Sequence, residues 1–400
     1  MALTNGTCRT KDLNGHRSRN SATRFALATL LLATVVPTTA KSQSVELPMP
    51  SGKYGVGTMV FDLTDTAREE TWTLDPNDKR RLVVQMWYPT AQTPSPQYAP
   101  YIPEEKALKP SLDKYMSDMP TVKSHAVSMA PIAPGSEKFP VIVFSHGMDS
   151  ARFFYSALLQ DLASNGYIVA AVDHTYWSMA ESFSDGKIVT LDQGMAARKD
   201  LDSHEVDLMM KEGLVEMGMD EEFVAHSLAT GSVPASTKPV LARADFGHVV
   251  VGGHSMGGMA AERACIESSE FQACFSLEGA AWGPVLGGMQ PSQCPKPFLL
   301  LVSERNYRPD KDFAAKFMQY WVSPAVFLIS GSRHGSFTDF PLLDTDPSAL
   351  ASAKVVYERI ARSVRIFLDG VTKNIDRRGM LVKIDKIQGV QSIDLVSIGN

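Results

Sequence analysis

The sequence is poor in cysteine, close to charge balance and nearly free of long apolar runs. It has four cysteines in 400 residues, with no Cys-x-x-Cys pair and no Cys/His cluster, which argues against a zinc site. Lys and Arg number 39 against 44 Asp and Glu, a formal charge of −5, so no basic footprint marks a nucleic-acid partner. No segment reaches the roughly 20 apolar residues that a membrane-spanning helix needs. What remains is an ordinary globular composition, 44% hydrophobic and 21% charged, in a chain long enough for a large α/β core.

The N-terminus stands apart. Arg9, Lys11, Arg17, Arg19 and Arg24 precede the apolar stretch "FALATLLLATVV" (25–36), and small residues follow up to Ala40. A basic region, a short apolar run and a small-residue exit read as a secretory signal cleaved near Ala40. The expectation is therefore a signal over 1–40, a single domain over 41–400, and a secreted (extracellular or periplasmic) protein. Cys8 would leave with the signal. Cys265, Cys274 and Cys294 allow three pairings, and spacing alone does not choose among them. The sole Asn-x-Ser/Thr sequon, at Asn5, lies in the same leader.

The remaining chain alternates strand and helix. "RRLVVQMWYPT" (80–90) reads as a strand ended by proline, and the proline-rich 91–137 as loop and short helix. "FPVIVFSHG" (139–147), "RFFYSALLQDLASNG" (152–166) and "YIVAAVDH" (167–174) form a strand–helix–strand unit, which implies parallel pairing. Residues 178–244 interrupt the alternation with an acidic helical insertion carrying Met209, Met210, Met217 and Met219. Such a segment is either a helix packed on the body or a lipid-facing lid. Strands follow at 248–254, 273–279, 297–304 and 324–332, then a long helix at 349–370. The pattern predicts a mostly parallel central sheet with helices on both faces. Residues 371–400 fit no element of it.

"VVVGGHSMGGMAAERA" (249–264) places Gly-x-Ser-x-Gly between a buried strand and a helix. That is the nucleophile elbow of an α/β-hydrolase. A bare turn that only packs is the plainer alternative. A serine hydroxyl needs a base, and in this fold the chain order is Ser, acid, His. His334 is the one histidine after Ser255. Glu278 and Glu304, both at strand ends, compete for the acid. The oxyanion would be held by the amides of Met256 and Met148, the latter in "FSHGMDS" (144–150), with His146 as a structural loop residue.

Five motifs in register resemble the plasma-type platelet-activating factor acetylhydrolases: "WYP" (87–89), "FSHGMDSARFFYSALLQDLASNGYIVAAVDH" (144–174), "GGHSMGG" (252–258), "SLEGAAWG" (276–283) and "GSRHGSFTDF" (331–340). The resemblance implies a serine esterase needing no metal or cofactor, acting on short or oxidised acyl chains of phospholipids. It carries the nucleophile onto Ser255 and the base onto His334. The family's acid is an aspartate at the position of Glu278, which favours Glu278 over Glu304. Membrane-docking helices are not recognisable, so membrane contact is expected to be weak at most. Secreted carboxylesterases and polyester hydrolases related to dienelactone hydrolase share the pattern. They supply the alternative substrate class, and a catalytically silent binding protein is a third reading.

Overall fold

The computed structural model describes residues 44–91, 97–196, 201–279, 289, 291–308, 310–373 and 375–399. The expected signal over 1–40 lies outside them, as does 280–283 of the "SLEGAAWG" motif. The remainder, Ser42–Asn400, forms one compact unit by its internal contacts.

Ten strands form the main sheet. In chain order they are β1 (Gly55–Glu69), β2 (Lys79–Thr90), β3 (Ala126–Ser128), β4 (Phe139–Ser145), β5 (Ile168–Asp173), β6 (Ala244–His254), β7 (Ala273–Leu277), β8 (Phe298–Ser303), β9 (Ala325–Ile329) and β10 (Val390–Ser392). Their spatial order is β10-β9-β8-β7-β6-β4-β5-β2-β1-β3. The central run from β9 to β5 is parallel throughout, while β10, β2 and β1 pair antiparallel. Side chains of β5, β7 and β8 are buried on both faces, which explains why these strands read as continuous apolar runs.

Five helices matter for the site: α1 (Ser156–Ser164), α2 (Ser203–Thr230), α3 (Met256–Glu267), α4 (Pro347–Thr372) and α5 (Arg377–Asp385). One apolar cluster joins α1, α4 and α5 to one sheet face, and a second joins α2 and α3 to the other. The fold is an α/β-hydrolase fold.

The structure departs from the sequence reading at β3, a strand of the main sheet inside the 91–137 stretch read as loop and short helix, and in three further places. The 15-residue strand β1 has no apolar run to announce it, because its outer half alternates buried and exposed positions under polar residues. β2 continues through Pro89, paired with Val56 of β1, because its pairing with β5 extends only to Trp87. Without a second ladder there, the missing proline N–H is tolerated. The C-terminal tail forms α5 and then β10, an antiparallel edge strand on β9.

The acidic insertion becomes a two-stranded hairpin (180–190) followed by α2. Asp202 caps α2 in a capping box with Glu205, and Gly231 ends it with φ 75°. Met209 and Met217 are buried and Met219 is exposed, so α2 packs on the body.

Candidate active site

Ser255 follows the last residue of β6 and precedes the first of α3. Its backbone has φ 53° and ψ −122°, a region that disfavours side chains. The neighbouring glycines are required by space. A Cβ on Gly253 would lie 2.5 Å from the Gly257 carbonyl carbon, and one on Gly257 would lie 2.3 Å from the His146 oxygen. The Ser255 N–H donates to the Leu277 oxygen at 2.9 Å, so β7 fixes the turn.

His334 opens the turn after β9, and its Nε2 lies 3.0 Å from Ser255 Oγ. The structure thus brings together the serine and histidine singled out in the sequence. Loss of hydration lowers the His334 pKa, against the raising effect of the Glu278 charge. Tighter packing beneath the ring comes from His254, 4.6 Å away between centroids.

Glu278, at the end of β7, has φ 55°. Its carboxylate is held by Ser303, whose Oγ donates to Oε1 at 2.7 Å and whose N–H donates to Oε2. Among the described residues no hydrogen bond joins Glu278 to His334, so the two communicate through charge alone. A glutamate is one methylene longer than an aspartate, and here its carboxylate sits on the end of β8. The Glu304 carboxylate accepts from the Gly331 N–H at 2.9 Å and, among the described residues, has no hydrogen bond to His334 either, but only the Glu278 charge acts on the His334 pKa.

The two amides singled out for the oxyanion lie on adjoining segments. Met256 N–H is the first of α3, and the 146–148 loop rests on Ser255, where a Cβ on Gly147 would come 3.1 Å from Ser255 Cβ. Among the described residues neither Met148 N–H nor Met256 N–H has an acceptor in the protein. Two free donors, one at a helix N-terminus, suit a developing negative charge. His146 is fully buried, and burial pushes its pKa down to about 4. It serves the loop, with Nε2 2.8 Å from Ser178 Oγ.

Tyr155 and His254, which no motif logic had singled out, join the candidate site through hydrogen bonds. Gly147 N–H donates to the Tyr155 hydroxyl at 3.0 Å, and that hydroxyl lies 2.9 Å from His254 Nδ1. His254 Nε2 donates to the His334 carbonyl oxygen at 3.1 Å. Because a carbonyl only accepts, Nε2 carries the hydrogen, and Nδ1 of the neutral ring takes the tyrosine proton. Burial keeps this ring neutral, holding its pKa well below the ordinary value. One chain therefore ties the 146–148 loop to the turn carrying His334. Asp339 anchors that turn from the far side, accepting from Tyr101 Oη at 3.1 Å and Ala157 N at 3.2 Å.

Cys265 and Cys274 form a disulfide, and Cys294 is free and buried. The bridge links the end of α3 to β7, the two elements flanking Ser255 and Glu278. Closing so short a loop is worth about 2.7 kcal/mol in the chain-entropy picture. The Cys265→Ala/Cys274→Ala pair should therefore lower the denaturant midpoint, and an unshifted midpoint would refute this.

Comparison with known proteins gives a consistent answer. The family model for platelet-activating factor acetylhydrolase, isoform II, matches residues 39–196 and 235–352. The platelet-activating factor acetylhydrolase of Canis lupus familiaris is 28% identical over 245 residues, 53% of this chain and 50% of that one. A probable 1-alkyl-2-acetylglycerophosphocholine esterase of Arthroderma benhamiae is 24% identical over 343 residues, covering 79% of this chain and 82% of its own. The chain thus spans about half the length of some curated relatives and most of another. A solved ferulic acid esterase from Streptomyces cinnamoneus superposes with TM-score 0.68 at 25% identity, over 88% of this chain and 99% of that one. With a family match over more than half its length and an α/β-hydrolase fold around Ser255 and His334, the chain belongs to the isoform II platelet-activating factor acetylhydrolase family.

Proposed function

We propose that this protein is a serine carboxylic ester hydrolase. The observation that carries the reading is the strained Ser255 turn with His334 Nε2 3.0 Å from its hydroxyl. Ser255 Oγ attacks the ester carbonyl while His334 takes its proton. The amides of Met148 and Met256 receive the oxyanion. His334 then hands the proton to the leaving alcohol, and a water activated by the same ring releases the acid. Glu278 stabilises the imidazolium by its charge, held at a distance by Ser303. No step calls on a metal or cofactor.

The substrate class we favour is a short-acyl phospholipid of the 1-alkyl-2-acetylglycerophosphocholine type, supported by the family match. The likeness to a ferulic acid esterase supports a second reading, a general carboxylesterase acting on soluble or polymeric esters. Rates on the acetyl phospholipid, a short p-nitrophenyl ester, a feruloyl ester and a polyester film separate the two. The phospholipid reading requires the highest kcat/KM on the first substrate. Comparable rates on the other three with none on the phospholipid would overturn it. Export is part of the proposal, and the N-terminal sequence of protein recovered outside the cytoplasm should begin near Lys41.

A further inference from the structure

A second Ser-His-Asp chain lies one residue from the 146–148 loop, wholly enclosed. His174 Nδ1 donates to Asp220 Oδ2 at 2.9 Å, and His174 Nε2 lies 2.8 Å from Ser145 Oγ. Ser145 Oγ donates to Glu221 Oε1 at 2.5 Å. All four residues have no exposed surface, so Ser145 is no nucleophile for any substrate. Asp220 also accepts from Arg80 Nη2 and Arg68 Nη2, each at 2.7 Å. Burial would push Asp220 up, but Arg80, His174 and Arg68 together hold it well below the usual carboxylate range. Glu221 has no such cation, and burial pushes it well up.

Polar groups buried this deeply are costly unless their geometry is kept, and a buried ion pair is weak evidence of stability alone. Their placement suggests what they fix. The Ser145 carbonyl oxygen lies against the elbow, 2.7 Å from where a Gly253 Cβ would sit and 2.5 Å from one on Gly257. Ser145 is also the last residue of β4 before the loop that presents the Met148 amide. Asp220 and Glu221 come from α2, within the 197–234 stretch that the family match leaves out. α2 also packs on the side chain of Met256, the residue that carries the other amide. A Cβ on Gly213 would lie 2.8 Å from Met256 Cε and 2.2 Å from the Trp177 ring.

We propose that Ser145, His174, Asp220 and Glu221 are positioning residues that key α2 to the end of β4 and so set the Met148 amide against Ser255. This rests on the ester-hydrolase reading above. An oxyanion donor is worth about 10²–10³-fold in kcat, and a displacement of about 1 Å can cost roughly 10²-fold.

The test is Ser145→Ala, which leaves His174 and Glu221 facing an apolar gap. Fluorophosphonate labelling counts reactive Ser255, and turnover of a p-nitrophenyl ester is expressed per labelled site. The expected result is a per-site kcat at least tenfold lower, on the order of the donor's value above, with KM within about threefold. Affinity for a trifluoromethyl ketone, which adds to Ser255 as a tetrahedral oxyanion, should fall by the same factor. A purely structural role would reduce the labelled fraction and leave per-site kcat and ketone affinity at wild-type values, which would overturn the proposal. Should Ser145→Ala not fold, His174→Gln is read in the same way, and a per-site kcat within twofold of wild type overturns it. If wild type takes no label, the ester-hydrolase reading fails first, an outcome distinct from a labelled wild type with an unaffected variant.

Discussion

Ser255→Ala should abolish ester hydrolysis, with kcat falling on the order of 10⁵-fold or more, and should remove fluorophosphonate labelling altogether. His334→Ala should match it in kcat to within about tenfold, because a nucleophile and its base act as a unit and their losses are not additive. The double variant is accordingly expected to be no worse than either single one. The physical reason is the 3.0 Å approach of His334 Nε2 to Ser255 Oγ, which makes the hydroxyl useful only while the ring can take its proton. Both side chains lie at the ends of sheet strands whose cores they do not fill, so melting temperatures should stay near wild type. Labelled Ser255→Ala protein would place the nucleophile elsewhere. Strict additivity would mean that His334 is not its base.

Glu278→Gln carries the second large effect, a loss in kcat smaller than the about 10⁴-fold seen where a triad acid is hydrogen-bonded to its histidine, since here only its charge reaches His334. A pH signature accompanies it. The negative charge of Glu278 raises the His334 pKa, while loss of hydration lowers it further still. Removing the charge leaves the lowering influence unopposed. His334 must be neutral to act as base, so the acid limb of the kcat/KM profile should move to lower pH in the variant. Ser303→Ala keeps the charge and loosens the hold that keeps the carboxylate away from His334, so the limb should move the other way, to higher pH, and by less, since the Ser303 N–H still holds one oxygen. A profile unmoved in Glu278→Gln would remove Glu278 from the site. Because Glu304 is committed to the Gly331 N–H, Glu304→Gln should leave the profile in place.

Much of this site was legible in the sequence because it rests on short-range rules. A strand, Gly-x-Ser-x-Gly and a helix define the elbow within a few residues, and the steric need for Gly253 arises largely inside that segment, at the Gly257 carbonyl, while that for Gly257 comes from Ser145 and His146 at the end of β4. His334 follows from chain order, since it is the one histidine after the serine. The parallel centre of the sheet was legible from buried strands such as β5 and β8. Strand β1 was not, because half of it faces solvent under polar residues, nor was β10, a three-residue edge strand.

The tertiary structure alone decided how Glu278 is held, how the 146–148 loop is fixed and where the insertion packs. Ser303 is 25 residues from Glu278, and Tyr155 is 99 from His254, separations at which residue patterns carry no information. The pairing of Cys265 with Cys274 was one of three until α3 and β7 were set side by side. In the same way Asp220 and Glu221 are two more acids on an acidic helix until the fold removes them from water. Burial then sets Asp220 against His174, Arg80 and Arg68, and Glu221 against Ser145, next to the 146–148 loop.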